Sequence, residues 1–287
     1  MYEKPNDPAR ANQLVKHCSY LGNPLFTNFA KYGIVYRDYI VCSRKEGHEM
    51  EYRFGGCCDQ GCCRESNQDS LFLASDSFGG QEAVFGVICD GVGSLAGSGY
   101  ASAAVVLRLR EWFSGCLPAR TLSEDPLPQL SASLTEALAA AGREIAAHSL
   151  KEGTPAATTA SVLLICGDAY FLIHVGDSRI YRVNHDLFLL TKDHVARHPE
   201  GKTALTRCIG IQRDPDFFTA SGAVYEEDAF LLCSDGFYHT LGRERLIRGI
   251  QKIRPKTDLN LLAASFVQEA RRSGERDNIS LGIIKRR

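Results

Sequence analysis

The apolar positions of this chain follow two rhythms. From Glu51 onward, short apolar runs alternate with turns. Ala83 to Cys89 reads as a strand that runs into Asp90-Gly91-Val92-Gly93-Ser94, a glycine-rich turn. Ala160 to Cys166, Ala169 to Val175 and Ile180 to Val183 read as consecutive strands, parted by Gly167-Asp168 and Gly176-Asp177-Ser178. Phe188 to Thr191 adds another, Ala229 to Ser234 ends in Asp235-Gly236, and a last strand over Asn278 to Ile284 opens directly after Asp277. The second rhythm is helical. Val105, Leu109 and Trp112 mark a helix over Ala101 to Phe113, and Leu134, Leu138, Ala141 and Ile145 mark a second. Leu259, Leu262, Ala263, Phe266, Val267 and Ala270 draw a third stripe, closed by Gly274 as C-cap. Strand runs and helix pairs are segregated and no internal repeat occurs. The pattern therefore predicts an α+β fold of stacked antiparallel sheets with flanking helices, not a parallel doubly wound sheet.

Residues 1–47 break this pattern. Their aromatics (Tyr20, Phe26, Phe29, Tyr32, Tyr36, Tyr39) have no period, and a charged link, Ser43-Arg44-Lys45-Glu46-Gly47, follows. They are read as an N-terminal extension that packs on the main domain or binds a partner, with a partly disordered tail as the alternative; residues 48–287 are read as one domain. A hydrophobic content of 44% and a charged content of 23% are ordinary for a soluble globular protein. The formal net charge of -1 supplies no field toward nucleic acid or anionic membrane. No apolar run is long enough to span a bilayer, and Met1-Tyr2-Glu3-Lys4-Pro5-Asn6-Asp7-Pro8 lacks the apolar stretch of a signal peptide. A cytoplasmic monomer that binds neither nucleic acid nor membrane is the expectation.

The eleven cysteines change that picture little. Cys18, Cys42, Cys89, Cys116, Cys166, Cys208 and Cys233 each stand alone and are expected to be reduced. The doubled pairs Cys57-Cys58 and Cys62-Cys63 lie in FGGCCDQGCC, after Tyr52-Arg53-Phe54. Neighbours on a strand face apart, and the spacing is not the C-x2-C of common zinc sites. All four are read as strand-filling residues, with a zinc site as the rival.

Candidate chemistry sits in carboxylates at strand ends: Asp69, Asp90, Asp235 and Asp277. A lone Asp-Gly is usually a turn cap. Several Asp residues converging would repel one another unless a hard divalent cation neutralised them. Their order along the chain carries more. Arg64-Glu65-Ser66-Asn67-Gln68-Asp69 precedes Asp90-Gly91-Val92-Gly93-Ser94, Gly99-Tyr100-Ala101-Ser102 and Ala157-Thr158-Thr159-Ala160. His174-Val175-Gly176-Asp177-Ser178-Arg179, Leu190-Thr191-Lys192-Asp193-His194, Leu205-Thr206-Arg207-Cys208-Ile209-Gly210, Leu232-Cys233-Ser234-Asp235-Gly236 and Asp277-Asn278-Ile279-Ser280 follow. In this order they resemble the metal-dependent protein phosphatases of type 2C in the compact bacterial form, over roughly Glu51 to Lys285.

The resemblance implies a four-layer α-β-β-α sandwich with a two-metal centre at one end, holding Mn2+ or Mg2+. The expected reaction is hydrolysis of phosphoserine and phosphothreonine in proteins by a metal-activated water, in a signalling setting with a cognate serine/threonine kinase. Asp90 is expected to bridge both ions, Gly91 to lend its carbonyl, and Asp235 and Asp277 to complete the direct ligands. Asp69 would orient metal-bound water and Arg64 would clamp the substrate phosphate, with Gln68 and Asn278 in support. Thr158 and Thr159 are expected near the cleft floor, and Asp177 and Arg179 to pair at a strand corner. Asp193 and His194, and likewise His148 and His185, are read as structural.

The departures are specific. Gln68 stands where the family usually has Glu, and Val92 where eukaryotic members place a histidine thought to act as general acid. Glu152-Gly153-Thr154-Pro155-Ala156-Ala157 lacks the Asp of a third metal site, and Phe237-Tyr238-His239 lacks an acidic residue. A third ion is therefore expected to be weak or absent. Two rival functions stay open here: a degenerate phosphatase domain that binds phosphoprotein or metal without turnover, and a cysteine-based redox or zinc sensor.

Overall fold

The computed structural model describes residues 42–43, 52–78, 81–116, 127–197, 203–211 and 215–287, all within one compact unit. The extension expected over residues 1–47 lies outside them, except for the two-residue strand β1 (Cys42–Ser43). Cys18 also lies outside.

One sheet has six strands in the order β1-β3-β4-β5-β6-β11: β3 is Ser70–Phe78, β4 Gln81–Cys89, β5 Ala160–Cys166, β6 Ala169–Val175 and β11 Phe218–Ala223. It is antiparallel apart from β1, which runs parallel to β3. The other has five strands in the order β2-β13-β12-β7-β8, all antiparallel: β2 is Tyr52–Asp59, β13 Ile279–Arg286, β12 Ala229–Cys233, β7 Arg179–Val183 and β8 Leu187–Leu189. A small hairpin, β9 (Val195–Arg197) with β10 (Thr203–Leu205), stands apart.

The strand runs are apolar throughout because both faces of each sheet are covered. On β4, Phe85, Val87 and Cys89 meet the helices α1 (Ser98–Cys116) and α2 (Leu127–Glu152), whereas Val84 and Ile88 point between the sheets. On β12 the same alternation sends Leu231 and Cys233 outward and Phe230 and Leu232 inward. The outward set packs with α3 (Asp235–Tyr238), α4 (Arg243–Gln251) and α5 (Leu259–Arg272). Three apolar layers thus separate four structural ones, and the α-β-β-α sandwich expected from the sequence is present.

Element ends differ from expectation where side chains reset them. The first helix begins at Ser98, whose hydroxyl donates to the Val92 carbonyl at 2.7 Å. The strand expected over Phe188 to Thr191 is Leu187–Leu189, because the turn at Asn184–Asp186 pairs Val183 with Leu187. Helix α5 ends as expected, with Gly274 at φ +94° just past it.

The cysteine reading needs one correction. Cys57 and Cys58 do face apart on β2, Cys57 toward the helix side and Cys58 between the sheets. Cys62 and Cys63 do not fill the strand. Asp59 accepts from the Gly61 amide at 2.7 Å, and Gly61 at φ +75° turns the chain out of the sheet, so both thiols are exposed. Among the described residues, no helix is long and apolar enough to cross a membrane.

Candidate metal centre

Register places the acidic residues together. Ser70 pairs with Cys89, so Asp69 and Asp90 flank the same end of the six-stranded sheet. Cys233 pairs with Leu281 and Asp59 with Ile279, so Asp235 and Asp277 flank one end of the other sheet. The two ends meet, since the charges of Asp69, Asp90, Asp235 and Asp277 act on one another.

The backbone around these carboxylates is tightly fixed. The Asp90 amide donates to Thr159 Oγ1 at 2.9 Å, and its carbonyl accepts from the Thr159 amide and from Thr158 Oγ1, both at 2.8 Å. Those are the floor contacts expected of the two threonines. The Gly91 amide donates to the Gln68 carbonyl at 3.2 Å, so Gln68 contributes through its backbone. Asn278 joins two loops: its Nδ2 donates to the carbonyls of Gln60 (2.8 Å) and Ser66 (3.1 Å), and its Oδ1 accepts from the Gln68 amide at 2.9 Å. Replacing this buried side chain (Asn278→Ala) strands three polar groups at once. It should cost about 2–4 kcal/mol of stability, read as a lowered denaturation midpoint, and lower turnover because both loops lose their common anchor.

Burial sets the charge state of the cluster. The Asp69 carboxyl is pushed up to about 7, first by desolvation, while a 2.6 Å hydrogen bond from Ser280 Oγ opposes this. Desolvation and then Asp69 and Asp235 hold Asp90 well above the carboxylate range. Asp235 is raised by burial and by Asp277, with a hydrogen bond to Asp90 pulling the other way. Asp69 Oδ1 and Asp235 Oδ1 are buried and, among the described residues, have no hydrogen-bond partner. Asp277 is forked onto Arg64, with Nε at 2.7 Å from Oδ1 and Nη2 at 2.5 Å from Oδ2.

Among the described residues, no three His, Cys, Asp or Glu side chains form a ready-made cage in this arrangement. Asp90 and Asp235 crowd each other, and Arg64 holds Asp277. The donor set nevertheless suits a hard cation. It is all oxygen, two buried oxygens lack partners, and like charges crowd one another, each a penalty that Mg2+ or Mn2+ relieves and zinc, preferring nitrogen and sulfur, does not match as well.

Other expected positions resolve as follows. Arg179 does not pair with Asp177; its Nη2 reaches Asp193 at 2.6 Å and its guanidinium lies 3.7 Å from the Tyr238 ring centre. The corner turns Asp177 toward the acidic centre instead, where burial and then Asp235 push it to about 7. His194 is structural, stacked on His174 at 5.2 Å and accepting from the Gly176 amide. His148 stacks on Tyr100 and His185 sits by Phe188. Val92, with its amide on the Ala157 carbonyl, offers no proton. Sequence reasoning missed Asp177 and Ser280 as neighbours of the centre. The signal for Ser280 was a hydroxyl inside the otherwise apolar final strand.

The sandwich is the one that the type 2C resemblance implied. Residues 64–269 match the Protein phosphatase 2C family, and the chain belongs to that family. The serine/threonine protein phosphatase PstP of Mycobacterium tuberculosis is 24% identical over 250 residues, covering 80% of this chain and 44% of that protein. The chain thus spans less than half the length of the curated relatives it matches. Among solved structures, the serine/threonine phosphatase of S. agalactiae gives a TM-score of 0.70 at 22% identity, covering 82% of this chain and 100% of that one. PppA, described as a key regulatory component of T6SS in Pseudomonas aeruginosa, gives 0.67 at 24% identity, covering 83% and 99%. The catalytic domain of PstP in complex with two manganese ions gives 0.64 at 24% identity, covering 82% and 97%.

Proposed function

We propose that this chain is a divalent-cation-dependent phosphatase acting on phosphoserine and phosphothreonine in proteins. The observation that carries the proposal is the convergence of Asp69, Asp90, Asp235 and Asp277, with Arg64 beside them, in a chain of this family. Asp90, Asp235, Asp277 and the Gly91 carbonyl are the groups that would hold two Mn2+ or Mg2+ ions, and the absence of an Asp in Glu152–Ala157 argues against a strong third site. Bound ions supply Lewis-acid activation of water and neutralise charge that develops in an in-line displacement.

The chain's own residues do the rest. Arg64 presents a guanidinium fork that matches two phosphate oxygens. Asp69, buried and bonded on one side to Ser280, would orient a water at the centre. With Val92 in place of an acid, the leaving alkoxide takes its proton from solvent. Phosphoproteins marked by a cognate kinase are the substrates of this reading, the enzyme a cytoplasmic monomer, residues 48–287 its catalytic domain and residues 1–47 an extension.

Phosphate release from a small aryl phosphate and from phosphoserine and phosphothreonine peptides, with and without Mn2+, tests the proposal. Strictly metal-dependent release is expected; bound Mn2+ without release would mark a degenerate domain. Within that assay, Arg64→Ala should raise KM about tenfold or more and change kcat less, since the clamp is lost while the metal ligands stay. An unchanged KM with a collapsed kcat would contradict the clamp.

A further inference from the structure

Cys62 and Cys63 lie outside the machinery proposed above but stand on its rim. Both thiols are exposed, and their sulfurs are 3.4 Å apart. Their turn is wedged against the segment Glu275–Asp277. Cys62 Sγ donates to the Glu275 carbonyl at 3.3 Å, and a Cβ on Gly61 would come within 2.2 Å of the Asp277 carbonyl. The next residue, Arg64, forks onto the Asp277 carboxylate. The turn cannot rearrange without disturbing one wall of the acidic centre. Cys57 and Cys58 are also neighbours, but they face opposite sides of β2 and cannot meet.

We propose that Cys62 and Cys63 form a reversible thiol switch, in which a low-mass disulfide oxidises the pair to a bond between neighbours and closing that ring displaces Arg64 and lowers phosphatase activity. The inference about activity rests on the function proposed above. The Cys63 thiol is the attacking group, since the hydrogen bond with Cys62 and then Arg276 hold it below its ordinary value. Its thiolate attacks one sulfur of the low-mass disulfide, whose S–S bond breaks and releases one thiolate. The Cys62 sulfur then gives up its proton and attacks Cys63 Sγ, expelling the second. Two protein thiols are oxidised, one low-mass disulfide is reduced to two thiols, and the protons lost by the cysteines end on the leaving thiolates.

The geometry makes this a switch and not a staple. Consecutive Cα atoms stand about 3.8 Å apart, closer than the roughly 4.4–6.8 Å that a disulfide prefers. The bond is therefore strained, and strained, exposed disulfides are the easily reduced ones. To close it, Cys62 must leave the Glu275 carbonyl and Cys63 must leave Arg276, which frees the turn from the segment carrying Asp277.

The test uses the full chain, reduced and loaded with Mn2+, then incubated with oxidised glutathione. The expected results are loss of two hydrogens from the peptide holding Cys62 and Cys63, and a fall in kcat/KM on an aryl phosphate of about tenfold or more, since small misplacements of positioning groups cost up to about 10²-fold. Dithiothreitol should restore the rate. Cys63→Ser should match the reduced parent and ignore the oxidant, and Cys62→Ser should stop at a glutathione adduct on Cys63 without forming the internal bond. Hydrogen exchange over residues 60–66 and 275–278 should quicken on oxidation, a readout independent of turnover. On the parent chain, a stable glutathione adduct in place of the internal bond would overturn the proposal, as would an internal bond that leaves exchange and rate unchanged, or a Cys63→Ser protein whose rate still falls with the oxidant. If the reduced, Mn2+-loaded chain releases no phosphate, the function proposal fails and the exchange readout alone decides the switch.

Discussion

Asp90→Asn should abolish turnover while leaving the fold intact. The substitution keeps the shape of the side chain and removes the charge that the largest number of neighbouring carboxylates act upon. Loss of a side chain that would hold the ions should forfeit several kcal/mol of transition-state stabilisation, and each 1.36 kcal/mol is a factor of ten, so a fall of about 10³-fold or more in kcat is expected. Metal affinity should fall with it, measured by calorimetric titration of Mn2+. Metal-free stability should hold or rise, because a buried, crowded carboxyl has been replaced by a neutral amide. Asp235→Asn should behave alike. Turnover close to the parent in Asp90→Asn would remove the two-metal assignment altogether.

The second large effect is a pH dependence that depends on metal. Asp69 and Asp177 are both pushed up to about 7 in the fold, chiefly by burial, against about 3.9 in an unfolded chain. A carboxyl raised on folding binds its proton more tightly in the native state. Its contribution to stability is therefore fully present below about pH 4 and is lost as pH climbs toward 7. Asp90 and Asp235 are shifted in the same direction. A divalent cation competes with those protons and gains as they leave. Chelator-treated protein should thus lose roughly 5–10 °C in Tm, relative to Mn2+-loaded protein, between pH 5 and pH 7.5. Calorimetric scans across that range read the difference directly. A gap of constant width would show that the cation does not bind among these groups.

Much of this centre was legible in the sequence because its carboxylates punctuate apolar strands. Asp90 follows β4 directly and Asp235 follows β12 after Ser234, and once strands pair antiparallel their ends are neighbours without further information. Thr158 and Thr159 were placed by the family resemblance. What could not be read depends on contacts distant in sequence or on a single backbone angle. Arg179 passes over its near neighbour Asp177 for Asp193, because Asp193 and the face of Tyr238 together give the guanidinium a better seat. The end of β2 was placed too late because Gly61's positive φ and the Asp59 side chain, not hydrophobicity, decide where the strand stops. Ser280 donates to Asp69 across the two sheets, a contact that no local pattern in the final strand specifies.

The five-stranded sheet has a consequence for how such a chain is made. Its first strand, β2, pairs along its whole length with β13, from Asp59 against Ile279 to Tyr52 against Arg286. On a ribosome, β2 emerges more than two hundred residues before its partner, and contacts this far apart in sequence close slowly. Until β13 arrives, the inner face of the six-stranded sheet has no complete cover, and its apolar side chains are available to chaperones or to other nascent chains. Arg64 and Asp277 come from the two ends of the same span, so the acidic centre is also assembled last. A chain truncated before β13 has neither the partner of β2 nor Asp277, and so no finished centre.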